Sequence, residues 1–237
     1  MTEQVAPPQG GGLIPTPPLH FIPLPKQEAT QLVIEHHYLH RKCPISWAWG
    51  IEVGDKILGV LTIGKPCSWS ATCGLVGETL QQMQEDPAAR SRDVFELNRL
   101  WLHDSLPRNS ESQFIGWCLR QLKKVKPTAI LLSYADTAFG HTGVVYQATG
   151  WTYAGTSAPF KDITLEGFTD YRSVPMELRG DKIGNKRAWA RDANAIRKER
   201  SLKHRYVWFA NTNDRPLLRW ATPTYPKRTP AGGNSSR

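Results

Sequence analysis

No apolar run in the 237-residue chain comes near the roughly 18 residues of a membrane-spanning helix, and no basic patch followed by an apolar stretch opens it. Membrane-embedded and secreted readings are therefore set aside. The four cysteines (Cys43, Cys67, Cys73 and Cys118) form neither a CxxC pair nor a paired His/Cys spacing. That excludes a zinc ribbon and a disulfide framework, and leaves structural, reduced thiols of a cytoplasmic protein. Internal repeats, helix-turn-helix patterns and zinc-finger patterns are missing too. Core-forming material is not: 40% of the residues are apolar and nine are Trp. The length suits one large domain, or one domain with an appendage.

Charge is placed unevenly. Residues 1–171 carry 14 Lys and Arg against 16 Asp and Glu, a balance of −2, whereas residues 172–237 carry 16 against 5, or +11. The densest stretch holds Arg179, Lys182, Lys186, Arg187, Arg191, Arg197, Lys198, Arg200, Lys203 and Arg205 against only Asp181, Asp192 and Glu199. Such a run is the footprint of a polyanion-binding surface. Trp189, Tyr206, Trp208, Phe209, Trp220 and Tyr225 interleave with it. Cations for phosphates beside rings for bases read as a nucleic-acid surface, unless the rings pack onto the body and the cations are its solvated face.

Along the chain, the Pro- and Gly-rich residues 1–18 read as a flexible leader. A strand is expected at Leu19–Leu24, a helix from Lys26 to about His40, and a hairpin of Ser46–Val53 and Lys56–Ile63 turning at Gly54-Asp55. Residues 64–92 read as irregular, with a short helix through Glu78–Glu85. Val94–Leu102 is the best strand, Ser110–Lys124 an amphipathic helix capped by Ser110, and Thr128–Ala135 a buried strand. A helical segment near Gly143–Ala148 and a strand at Thr152–Thr156 follow. This order describes an α/β domain with one mixed central sheet over residues 19–171, a basic extension over 172–228 and a tail over 229–237.

Two constellations could carry chemistry. The strand-turn-helix passage LNRLWL…PRNSES brings Arg108, Asn109, Ser110 and Ser112 to a helix N-terminus, where free N–H groups favour an anion such as a pyrophosphate, although Glu111 opposes a dianion and an ordinary capped helix has the same pattern. The other is His36-His37-Tyr38 with His40, taken with Asp136 at the C-terminal end of a strand and Tyr146 ten residues later. Ligands bind at such strand ends in open α/β sheets. Imidazole, carboxylate and phenol together could hold an iron-like cation or act as base, orienter and acid, and spacing does not choose between these.

The blocks FELNRLWL, PRNSES, SYADTAFGHTGVVYQATGW and KHRYVWF resemble, in order, the Mom family of bacteriophage DNA-modification proteins, over roughly residues 20–210. That family is similar to GNAT-type N-acyltransferases, so the resemblance implies a GNAT-like N-acyltransferase fold whose strand-turn-helix passage binds an acyl donor. It also implies an enzyme converting the exocyclic amine of adenine in phage DNA to a carbamoylmethyl-type group, shielding the phage genome from host restriction in the cytoplasm of the infected bacterium. His37, Tyr38, Asp136 and Tyr146 are then implied as catalytic, with His37, Tyr38 and Asp136 as iron ligands, and Arg99 and Ser112 as donor-side residues.

The turn at Pro107–Ser112 departs from the wider acyltransferase pattern in lacking the glycine-rich Q/R-x-x-G-x-G/A loop. Carbamoylmethyl and glycyl groups are isomers, so the donor is expected to be either an acetyl thioester such as acetyl-CoA, followed by metal-assisted chemistry, or an activated glycine such as glycyl-tRNA. Partners expected are double-stranded DNA with the target adenine flipped out and, on the second route, tRNA; a homodimer is left open. Trp69, Trp151 and Trp189 are the rings named for holding the base. Rival expectations are an acyltransferase of the same fold acting on a protein or tRNA, and a non-enzymatic DNA-binding protein.

Overall fold

The structure is a computed structural model that describes residues 18–168, 174, 178 and 195–227. Its elements are strand β1 (His20–Pro23), helix α1 (Lys26–His36), β2 (Trp47–Val53), β3 (Lys56–Gly64), α2 (Trp69–Val76), α3 (Leu80–Glu85), β4 (Val94–Leu102), α4 (Ser110–Val125), β5 (Ile130–Asp136), α5 (Val144–Ala148), β6 (Thr152–Thr156), β7 (Lys161–Thr164), β8 (Ile196–Glu199) and β9 (Lys203–Phe209). Seven strands form one sheet in the order β1-β2-β3-β4-β5-β9-β6, and β7 pairs with β8 in a separate two-stranded ribbon. Neighbours in the main sheet are antiparallel except β4 and β5, which are parallel because helix α4 returns the chain between them. The mixed central sheet flanked by helices is the architecture expected from the element order.

Alternation along the strands sorts the core into two faces. Trp49, Ile51, Leu61, Ile63, Phe95, Leu97 and Leu131 point to the face covered by α4, whose Phe114, Ile115, Cys118 and Leu122 are fully buried. On the other face α1 buries Ala29 and Val33 against Ala48 and Val60. Also on that face, α2 buries Leu75 and Val76 against Val94, Ile130 and Leu132.

Several boundaries differ from the sequence expectation. Helix α1 stops at His36 because His37 is already extended, with φ −77° and ψ 134°. Helix α2 lies in the stretch read as irregular; Ser68 caps it by accepting from the Ala71 N–H at 3.2 Å. Asn109, not Ser110, is the N-cap of α4: it sits in the left-handed region at φ 68°, which Asn tolerates, while the Ser110 hydroxyl donates to the Pro107 carbonyl at 2.6 Å.

The largest correction concerns the basic quarter. Strand β9 lies between β5 and β6, so residues expected to be an appendage complete the main sheet. Tyr206 is fully buried, Phe209 is 5% exposed, and Trp208 packs at the edge of the main core, so these rings are structural rather than base-stacking faces. After β9 the chain crosses back over the sheet: Arg219 N–H donates to the Leu75 carbonyl at 2.8 Å, the Tyr225 hydroxyl donates to the Trp151 carbonyl, and Trp220 packs beside Val207 and Phe209. A boundary in charge is thus not a boundary in packing. Arg179, Lys182, Lys186, Arg187 and Arg191, expected to contact DNA, and Trp189, expected to hold the base, lie outside the described residues.

Tyr206 ties β9 to the α5 turn. Its hydroxyl donates to the Thr142 carbonyl and accepts from Gln147 Nε2 at 3.1 Å, and its ring lies so close to Gly143 (φ 73°) that a Cβ there would meet it at 2.3 Å. Tyr206→Ala is expected to cost about 3–5 kcal/mol of unfolding free energy by denaturant titration, the loss typical of a buried aromatic, whereas Lys198→Ala on exposed β8 should change it by less than about 0.5 kcal/mol. An unchanged midpoint for Tyr206→Ala would be the behaviour of a true appendage.

Candidate active site

The two parallel strands are paired over three residues only, Val94 with Ile130, Phe95 with Leu131 and Glu96 with Leu132. Beyond Glu96, β4 continues against β3 as far as Leu102, and β5 continues against β9 as far as Asp136. The sheet therefore opens into a wedge. At its apex the first unmatched carbonyl, that of Leu97, accepts from the Ser133 hydroxyl at 2.9 Å. The same Ser133 hydroxyl also lies within hydrogen-bond distance of the Tyr146 hydroxyl, at 2.8 Å.

A β-bulge sets the chemistry of the wedge wall. Thr62 pairs with Arg99 and Ile63 with Leu97, leaving Asn98 as the extra residue of β4. Its side chain accepts from the Thr62 hydroxyl at 2.6 Å and donates to the Pro44 carbonyl at 2.7 Å. In regular alternation residues three apart face opposite ways, but the inserted residue turns Arg99 to the side of Glu96. That side is the one α1 covers, and α1 delivers His37 and Tyr38 at its C-terminal end.

The polar groups close a ring of charge. The Arg99 guanidinium acts on His37, Tyr38 and Glu96; the Lys203 ammonium acts on Glu96 and sits 3.2 Å from Asp136; Asp136 acts in turn on Tyr38. Burial pushes the Glu96 carboxyl up to about 7, against the pull of both cations. His37 is 5% exposed, and burial, then Arg99, then His40 lower its imidazole to about 4, so it is neutral near pH 7. Its Nδ1 accepts from the Leu39 N–H at 3.1 Å, which places the proton on Nε2. Burial of Asp136 is outweighed by hydrogen bonds from the Ser201 hydroxyl (2.6 Å) and the Ala138 N–H (3.0 Å) and by Lys203, which hold its carboxyl below the usual value. Tyr38 stacks on His37 at 4.3 Å and is 48% exposed; burial and then Asp136 raise its phenol. Tyr146 is buried and pushed up to about 12 by that burial.

The structure thus brings His37, Tyr38, Arg99 and Asp136 to one side of the wedge, with Tyr146 buried at its apex. Arg108, Asn109, Ser110 and Ser112 make a separate group at the start of α4, where Ser112 donates to the Asn109 carbonyl at 3.0 Å and Arg108 and Asn109 are exposed. Of the described basic residues, Arg197, Lys198 and Arg200 are exposed on and beside β8, but Lys203 belongs to the charge ring and Arg205 packs 4.1 Å over Trp220. Of the rings named for the base, Trp151 is fully buried core, while Trp69 is half exposed and lines a cavity of about 340 Å³ with Lys65, Met83 and Val94. Sequence reading missed Glu96, whose neighbours in VFELNRL suggest nothing but an exposed strand position.

The expected iron ligands do not suit a metal. A neutral imidazole has one lone-pair nitrogen, and that of His37 is taken by Leu39. Both Asp136 oxygens are engaged, one by Ser201 and Ala138 and the other by Lys203. Among the described residues no three His, Cys, Asp or Glu side chains gather around a common point.

A mixed seven-stranded sheet flanked by helices, whose single parallel pair parts over a polar cluster, places the molecule in the α/β class expected from sequence. Among solved structures, the chain is similar to an N-acetyltransferase from Staphylococcus aureus Mu50 (12% identity, TM-score 0.44, covering 82% of this chain and 99% of that one) and to a Bacillus subtilis acetyltransferase in complex with CoA (13%, TM-score 0.42, covering 81% and 99%). The particular relationship lies in sequence. Residues 18–227 match the Mom protein family, and the chain belongs to it. Over 210 residues it is 30% identical to methylcarbamoylase mom of Escherichia phage Mu, spanning 84% of this chain and 80% of that protein.

Glu96 makes stability pH-dependent in a definite direction. Its carboxyl ionises near 4.5 when unfolded but near 7 in the fold, so stability present below pH 4.5 is lost as pH rises through 7. His37 acts the other way, costing stability as pH falls from 6.5 towards 4. Glu96→Gln removes only the first effect. Its thermal midpoint should exceed that of the wild type at pH 8 by a margin that shrinks towards pH 4.5; a constant margin would mean Glu96 is not held protonated by the fold.

Proposed function

We propose that this protein is a transferase that attaches a two-carbon, glycine-equivalent group to the exocyclic amine of adenine in DNA, giving a carbamoylmethyl-type or isomeric glycyl adduct that shields phage DNA from host restriction. The carrying observation is the Glu96 carboxyl at the closed end of the β4–β5 wedge, with its proton affinity tuned near neutrality in a member of the Mom family. The relative from phage Mu, by its name a methylcarbamoylase, supports the type of group transferred.

Adenine's amine is a poor nucleophile because its lone pair is delocalised into the ring. A base poised near the working pH, acting as the bond to carbon forms, relieves that, and Glu96 has the required affinity. Asp136, held low and bonded to Ser201 and Lys203, is a poor proton acceptor by comparison. We assign it to positioning Lys203 and the turn that follows β5. Arg99 faces the same space as a fixed cation for negative charge developing on a carbonyl oxygen, and His37 offers Nε2–H as a neutral donor. With an activated glycine, N6 bonds to the acyl carbon, the bond from that carbon to the donor oxygen or sulfur breaks, and the N6 proton passes to Glu96 and from it to the leaving atom, which departs as an alcohol or thiol. Lifting adenine out of the duplex costs a few kcal/mol. Phosphate contacts by the exposed cations of β8 offset it.

Expression in bacteria, followed by digestion of genomic DNA and mass analysis, should yield a new modified adenine nucleoside, and Glu96→Gln should lower its rate of formation by about 10²–10⁴-fold. In the wild type that rate should rise with pH through about 7. Labelled glycine appearing in the adduct marks the activated-glycine route; labelled acetate marks the thioester route. Unmodified DNA in cells making the folded wild-type protein would end the proposal.

A further inference from the structure

Beside the charge ring stands an aromatic group that the chemistry above does not use. Phe139 is 55% exposed and packs against Tyr38 with ring centres 4.7 Å apart and planes at 57°; exposed His141 lies 6.4 Å from Tyr38 and 6.0 Å from Phe139. Three rings open to water in one place are unusual, because burying them elsewhere would be favourable. They do not fray into that position. Phe139 rides a 3-10 turn, Thr137–Phe139, that Asp136 caps through the Ala138 N–H, and the His141 N–H donates to the Asp136 carbonyl at 3.3 Å. The turn is anchored to the chain between β8 and β9 as well, since the Thr137 N–H and hydroxyl donate to the Leu202 carbonyl at 3.2 and 2.7 Å. Gly140, at φ 67°, ends it.

We infer that Tyr38, Phe139 and His141 form a stacking platform for the adenine everted from DNA, holding the base at the mouth of the β4–β5 wedge. The inference rests on the proposed function for the identity of the base. Two further features favour a nucleobase as the occupant. Tyr38 joins the platform to the charge ring by stacking on His37, with ring centres 4.3 Å apart. Leu202 ties the platform to the chain that follows β8, whose exposed Arg197 and Lys198 offer cations for the phosphates of the same strand. Every base has a π-face, and stacking on one aromatic side chain contributes about 1–3 kcal/mol, or roughly 5- to 150-fold in affinity.

The test uses the full-length protein and two 20-mer duplex probes, one fully paired and one with an adenine opposite an abasic site, where eversion costs less. The wild type should bind the second probe at least about fivefold more tightly. Phe139→Ala should reduce that preference below twofold while leaving affinity for the paired duplex and the thermal midpoint unchanged, because the ring contributes little to the core. Phe139→Trp should restore the preference and Phe139→Leu should not. Adenine modification in cells should fall about tenfold or more in Phe139→Ala. A wild type without the preference, a preference surviving Phe139→Ala, or rescue by Leu as good as by Trp would each overturn the platform. A Phe139-dependent preference in a protein that leaves cellular adenine unmodified would uphold the platform and overturn the assigned chemistry instead.

Discussion

Two parallel strands that stay together for three residues and then separate are the constraint on which the rest of this molecule depends. Parallel strands need a crossover, and α4 supplies it; the loss of ladder bonds beyond Glu96 must then be compensated, because a buried carbonyl without a donor is costly. Ser133 and Tyr146 do this at the apex by a relay of hydroxyls. On their outer edges the two diverging strands stay bonded to β3 and β9. Without an antiparallel partner on its outer edge each diverging strand would be unpaired on both sides, so β9, inserted between β5 and β6, supports the opening.

Electrostatics within the wedge follows from where the strands bring charge, and the outcome inverts a simple reading of residue types. Histidine and aspartate are the usual base and orienter, yet here the imidazole is kept neutral by burial and a neighbouring guanidinium, while the aspartate is tied into hydrogen bonds. The carboxyl that titrates near neutrality is on a strand with no motif around it. Two cations flank Glu96 and still fail to bring it to its ordinary value, which shows that desolvation is the larger effect at this position.

The basic quarter divides its labour by depth. Arg197 and Lys198 stay at the surface, Lys203 is drawn into the charge ring, and Arg205 lies over Trp220 within the packed strap that follows β9. Cations and aromatics interleaved in sequence suggest a single nucleic-acid surface. The alternation of a strand explains the same interleaving, with Tyr206 and Trp208 on one side of the sheet and Arg205 and Val207 on the other.

Local patterns were legible where the physics is local. Hydrophobic periodicity marked α4 and the strands β2 to β6, and ordered blocks such as FELNRLWL and SYADTAFGHTGVVYQATGW carried the family resemblance that comparison bears out. The His-Tyr and Asp segments on one side of the wedge were also visible. What only the tertiary structure decided depends on contacts distant in sequence: the bulge at Asn98 that turns Arg99 to the side of Glu96, the placement of β9 between β5 and β6, and the raised proton affinity of Glu96. Composition assigns a residue its chemistry, but register decides the face on which it stands, and burial among remote neighbours decides which protonation state it keeps.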